Sequence, residues 1–170
     1  RSVRLALVLV CRRTRDARVA EFLADADLLV QTEAARAIHD LEIDEAEPAL
    51  ARILPGVASG QGEASYPLIR RSLNANLRVG GASNAEAVAA FASDPSRPLE
   101  MRREAIAVLS SWTSPSRRDR VNGFWRDLGT RDKTVVRDAA AKYASRLTST
   151  AGAELLPSIL ELIERSEASV

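Results

Sequence analysis

Asp27-Leu28-Leu29-Val30-Gln31-Thr32-Glu33-Ala34-Ala35-Arg36-Ala37-Ile38-His39-Asp40-Leu41 is the stretch from which the fold can be read. Its apolar residues Val30, Ala34, Ala37, Ile38 and Leu41 recur at steps of three and four, the spacing that lines one face of a helix. Asp27 stands just ahead of the periodic run, where its carboxylate can accept from the unpaired N–H groups of a first helical turn. The spacing predicts a helix over residues 28–41, with those five side chains as its buried stripe. In this register His39 falls on the outward side, so it is expected as a solvated surface histidine.

The signal returns along the chain. Met101-Arg102-Arg103-Glu104-Ala105-Ile106-Ala107-Val108-Leu109 superposes on Val30 to Ile38 with apolar on apolar and Glu104 on Glu33. Val136-Arg137-Asp138-Ala139-Ala140-Ala141 fits the same frame, as does Val3-Arg4-Leu5-Ala6-Leu7-Val8-Leu9, and Ile69-Arg70-Arg71-Ser72-Leu73 fits more loosely. Anchored on Arg4, Gln31, Arg70, Arg102 and Arg137, the copies lie 27, 39, 32 and 35 residues apart. A unit of this length and pattern resembles a HEAT repeat, in which a pair of helices cannot bury its apolar face alone and stacks on its neighbours. Small Ala residues let helices approach closely, while larger aliphatics fill the space between pairs.

Other segments supply the remaining helices. A first helix is expected over about Ser2 to Arg13, with a short partner from about Asp16 to Leu23. Glu45-Ala46-Glu47-Pro48 starts another, with acids and a proline in the first turn, where the helix dipole and the missing N–H suit them. Pro55-Gly56 ends it, and Gly60-Gln61-Gly62 reads as a loop. Pro67 opens a helix that Gly80-Gly81 stops, Ser83 or Asn84 caps a short one, and Pro98 opens one that runs to Trp112. Asp132 caps a helix to about Leu147, and a last one covers about Ala153 to Arg165. No stretch alternates with period two. The expected class is all-α: a single HEAT-like α-α superhelix (α-solenoid) over residues 1–170, with about five helical pairs.

Composition points the same way. Of 170 residues 29 are Ala and 20 Leu, both strong helix formers, while aromatics make up 4%; a collagen-like chain, a disulfide scaffold and most all-β folds are excluded. The net charge of +1 leaves no global basic field of the kind nucleic-acid binders carry. Arginine supplies 22 of the 24 basic residues and is spread evenly, which reads as compositional bias. Cys11 stands alone, so no internal disulfide can form. The longest apolar run, Leu5 to Cys11, falls far short of the roughly 20 residues of a membrane span. Arg1 is already in helical rhythm, so the chain is expected to be a segment of a longer protein, with an N-terminal apolar face able to self-associate.

Longer stretches carry a closer resemblance. Asp16 to Asp25 (DARVAEFLAD), Asp27 to Leu41, Arg70 to Val79 (RRSLNANLRV) and Asp119 to Arg126 (DRVNGFWR) together resemble the helical-repeat region of large exported bacterial proteins. Those proteins join a sorbosone-dehydrogenase-like propeller to a c-type haem domain, the PVC-type haem-binding family. The resemblance implies a spacer or docking solenoid between chemical domains, and an exported or periplasmic setting. It carries over no haem site, because that family attaches haem through Cys-x-x-Cys-His, whereas Cys11 and His39 lie far apart here.

Chemistry-bearing residues are sparse. His39 with Asp40 or Asp44 would make an incomplete metal site. The acids Glu42, Asp44, Glu45 and Glu47, and the pair Glu161 and Glu164, sit near a helix start or along a helix face, where solvated charge is expected. Asn74 and Asn76 lie inside a predicted helix, where Asn is unfavourable; they are expected to reach across to neighbouring loop backbone and lock one repeat to the next, a ligand contact being the alternative. No glycine-rich phosphate loop or nucleophile elbow occurs. No catalytic, metal or cofactor residue is therefore expected. The sharpest feature is Thr113 to Thr130, where Pro115 and Gly123 interrupt the helical rhythm and Arg117, Arg118, Arg120 and Arg126 surround Phe124 and Trp125. It is expected to be the interaction-bearing element of a non-catalytic scaffold that binds protein. The alternatives are a nucleic-acid-binding HEAT protein of the DNA-glycosylase kind, which the near-neutral charge disfavours, and a HEAT-like enzyme of the bilin-lyase type.

Overall fold

The computed structural model describes residues 1–57 and 59–168. The chain is all-helical, and no β-strand occurs among the described residues. In order come α1 (Ser2–Thr14), α2 (Leu28–Asp40), α3 (Glu47–Arg52), α4 (Tyr66–Val79), α5 (Ala82–Ser93), α6 (Leu99–Ser110), α7 (Lys133–Ser149) and α8 (Leu156–Ser166). Tighter 3-10 turns occupy Ala17–Ala24, Asp44–Ala46, Leu54–Gly56 and Ser59–Ser65, the last kinked at Gly62. Aspartates set three starts, two of them, Asp27 and Asp132, as the sequence predicts. The carboxylates of Asp16, Asp27 and Asp132 accept from the N–H groups of Arg18, Leu29 and Thr134 at 2.9, 2.9 and 2.8 Å. The expected cap at Ser83 or Asn84 is not used: α5 begins at Ala82 after Gly81, and the Asn84 side-chain amide donates instead to Asn76 Oδ1 at 2.9 Å.

The chain divides into two compact units, residues 1–75 and 76–170. In the first, α2 packs against α1, the Ala17–Ala24 turn and α3. Its stripe Val30, Ala34, Ala37 and Ile38 is buried, and so is a second stripe, Thr32, Ala35 and His39. The second stripe corrects the sequence reading of His39. That reading assigned α2 a single buried face, but α4 covers the other. His39 Nδ1 lies 2.9 Å from Asp40 Oδ1, and the Asn74 amide donates to His39 Nε2 at 2.8 Å. Arg71 completes the network, with Nε and a terminal nitrogen on the two oxygens of Asp40 at 3.0 and 2.8 Å. Glu47 is also buried rather than solvated.

In the second unit α5 packs against both α6 and α7, while α8 packs against α7 and α6. The superposition of Met101–Leu109 on Val136–Ala141 makes α6 and α7 like helices of successive pairs. Instead α7 lies beside α5 and α8 beside α6. Residues 111–132 supply no second helix after α6, so α6 pairs back with α5, and the α7–α8 hairpin closes over both. The core centres on Met101, Ala105, Leu109, Trp112, Ala140 and Leu147.

One buried arginine, Arg102, and one half-buried, Arg131, have structural work here. Arg131 donates to the carbonyls of Leu77 and Arg78, at the carboxyl end of α4, and its guanidinium lies over the Trp112 ring. Arg102 donates to Ala92 O at the end of α5 and to both oxygens of Thr150 at the end of α7. A planar fork suits carbonyls that a helix end leaves without intrahelical partners. Burial pulls both guanidinium groups below their usual pKa. Gly80 is needed beside this clamp. Its φ is +76°, and a Cβ there would collide with the Arg131 guanidinium.

Candidate functional site

Residues 113–130 fold as a short hairpin on the second unit, which the sequence shows only as irregularity. Its ends meet where Arg131 N–H donates to Thr113 O at 2.9 Å. Higher up, Arg126 N–H donates to Arg117 O at 2.8 Å and Asp119 N–H to Phe124 O at 2.8 Å, framing an antiparallel bridge between Arg118 and Trp125. The tip follows from residue chemistry. Asp119 Oδ1 accepts from the N–H groups of Val121 and Asn122 at 2.8 and 3.1 Å, and Asn122 Oδ1 accepts from Phe124 N–H at 2.9 Å. Gly123 takes the left-handed conformation (φ +74°) that lets the chain reverse. Asn-Gly is the commonest signature of such a tight reversal.

The hairpin is anchored from beneath. The other carboxylate oxygen of Asp119 accepts from Arg78 on α4, from Nε at 3.2 Å and from a terminal nitrogen at 2.8 Å. The two side chains are only 2% and 4% exposed. One aspartate therefore folds the tip with one oxygen and fastens it to the helix with the other. Neither Asp119 nor Arg78 is singled out by the sequence as a site residue. The Asp-x-x-Asn-Gly spacing carries the signal for the turn, but nothing in the sequence pairs it with an arginine 41 positions earlier.

Above the anchor, the side chains are sorted. Phe124 and Trp125 are 63% and 64% exposed, although apolar side chains of that size are ordinarily covered. Arg117 lies over the Trp125 ring, 5.7 Å from its centroid, and pairs with Asp127 at 3.3 Å. Arg118 is exposed at the bridge, with a long contact of 3.4 Å to Gly123 O. Arg120 turns back to Glu104 on α6 at 3.0 Å, and Arg126 is half-buried. Of the six residues singled out in the sequence, Phe124, Trp125, Arg117 and Arg118 are exposed, while Arg120 is tied to α6 and Arg126 is half-buried.

The other candidates do not gather into a reactive centre. His39 is fully enclosed between Asp40 and Asn74. No group of three or more His, Cys, Asp or Glu side chains that could hold a metal ion occurs among the described residues. Among them, too, no helix is long and apolar enough to cross a membrane. Glu161 pairs with Arg165 one turn away at 3.3 Å. A cleft of the first unit, about 670 Å³, is lined by Arg1, Arg4 and Arg36 among others, but each of these pairs with an acid: Asp27, Asp25 and Glu33. Searches against protein-family models, curated proteins and solved structures return no match to this chain.

Proposed function

We propose that this chain is a non-catalytic, HEAT-like helical-repeat module that binds protein through the Phe124–Trp125 hairpin. It would serve as a spacer or docking element within a larger exported bacterial dehydrogenase–cytochrome protein. In this reading it brings no metal, cofactor or catalytic group of its own. The observation that carries the reading is the exposure of two adjacent aromatics on a hairpin held by a buried ion pair. Aromatic anchors with few rotatable bonds, presented on a fixed backbone, lose little entropy on binding and dominate interface energetics. Arg118 at their edge favours a partner surface with acidic groups at its rim. The aspartate caps and alanine-rich faces of α2 and α7 support the repeat part of the reading.

Nucleic acid fits the surface less well. Arg117 and Arg120 already have carboxylate partners in Asp127 and Glu104, and phosphate binding draws on uncompensated cations released to the backbone. The test is a photo-reactive aromatic at position 125, introduced in the native cells. A protein adduct that disappears when Arg117→Glu and Arg118→Glu are combined is the expected result. A nucleic-acid adduct, or none at all, would overturn the reading.

A further inference from the structure

The hairpin tip holds a reactive pair of residues besides its aromatics. The chain has four asparagines: Asn74 and Asn76 lie in α4 and Asn84 in α5, while Asn122 stands in the tip and alone precedes a glycine. The amide carbon of an asparagine is open to attack by the backbone nitrogen of the next residue. Glycine at that next position has no Cβ to obstruct the close approach. The Gly123 nitrogen would bond to Asn122 Cγ, and ammonia would leave with the proton that nitrogen gives up. Water then opens the resulting succinimide ring at either carbonyl, giving aspartate or isoaspartate. The reaction needs no enzyme and no reagent other than water.

The folded tip restrains both reactants. The Gly123 N–H, whose nitrogen must attack, donates to Asp119 O at 3.0 Å. The side-chain oxygen of Asn122, on the carbon to be attacked, accepts from Phe124 N–H at 2.9 Å. Asp119 Oδ1 holds the N–H groups of Val121 and Asn122, and its other oxygen is fixed by Arg78. Bringing the Asn122 amide carbon onto the Gly123 nitrogen breaks the first two bonds together, so reaction waits on local opening of the tip.

We propose that Asn122 is a site of spontaneous deamidation gated by the Asp119–Arg78 anchor, withheld in the intact hairpin and released when the tip opens. The change runs one way. Isoaspartate adds a methylene to the main chain between residues 122 and 123. The bonds from Asp119 N–H to Phe124 O and from Gly123 N–H to Asp119 O then no longer fit one register. Resting on the docking reading above, this would retire the aromatic surface, whereas a bound partner would keep the tip closed and preserve it.

Timed incubation followed by peptide mapping tests the proposal on three samples: the folded parent, the parent unfolded in urea, and Asp119→Ala. Circular dichroism at the incubation temperature checks that the variant is folded. Conversion at Asn122 is read by mass and by enzymatic methylation specific for isoaspartate. The folded parent should convert far more slowly than the unfolded chain, and Asp119→Ala about tenfold or more faster than the folded parent. These rates are measured on the chain alone, so their failure is distinct from failure of the docking reading. A folded parent that converts at the rate of the unfolded chain, no conversion at Asn122 in urea, or a folded Asp119→Ala no faster than the parent would overturn the proposal. Should Asp119→Ala unfold, hydrogen exchange at the Gly123 amide of the parent decides instead. Strongly slowed exchange supports the gate, and exchange at the rate of a free chain overturns it.

Discussion

Asp119 carries more of the candidate site than any other single side chain. Both its oxygens are engaged, one by the N–H groups of the hairpin tip and one by Arg78, and the pair is almost wholly removed from water. Removing one partner takes this pairing from a charge that stays buried, which costs about 3–5 kcal/mol. Asp119→Ala should therefore lower the melting temperature by roughly 10 °C or more, read by circular dichroism. Replacing both residues, Arg78→Met with Asp119→Ala, should recover part of that loss. Asp40 offers a second residue whose ionisation is tied to folding. Burial opposes its charge, but hydrogen bonds from His39 and Arg71 outweigh burial and hold the carboxyl down to about 2. An unfolded aspartate titrates near 4, so the stabilisation is complete above about pH 4 and is lost as the pH falls toward about 2. Asp40→Asn should cost about 1–2 kcal/mol at neutral pH and flatten the fall in melting temperature across that acid window.

Helices with one clear apolar stripe and an aspartate ahead of it were legible in the sequence. α2 and α7 begin where Asp27 and Asp132 predict, because a cap and a 3.6-residue period are local facts. What surrounds a helix is not local. His39 occupies the frame position of Ser110 and Ser145, which are half-buried and exposed, yet on α2 that position meets Asn74 from α4 and is sealed. The two asparagines on α4, unfavourable by propensity, were expected to reach neighbouring loop backbone; they meet side chains on other helices instead, His39 and Asn84. The even spread of arginine read as bias, whereas the buried Arg78 and Arg102 and the half-buried Arg131 are clamps on a carboxylate and on helix-end carbonyls. Their partners lie from 10 to 54 residues away in sequence, beyond the reach of any periodic pattern. For the hairpin, the aromatic and basic residues were legible as a cluster, but not the sorting that turns Phe124 and Trp125 outward and ties Arg120 to Glu104.

Across the whole molecule, the interior is alanine and aliphatic side chains, and buried polar groups serve to join helices. One exposed group stands apart: the hairpin tip, with Phe124 and Trp125. Large apolar side chains left in water do nothing for the fold that carries them, so their upkeep points to contacts outside it. If the tip exists for binding, the fold should be indifferent to it, while remaining dependent on the anchor below. Thermal unfolding of a variant combining Arg117→Glu, Arg118→Glu, Phe124→Ala and Trp125→Ala tests this directly. A melting temperature within about 4 °C of the parent is predicted, since changes at exposed sites rarely exceed about 0.5 kcal/mol each and about 2 kcal/mol for the four together. A fall comparable to that of Asp119→Ala would mean that the tip side chains hold the fold together, and would contradict their assignment as a docking surface.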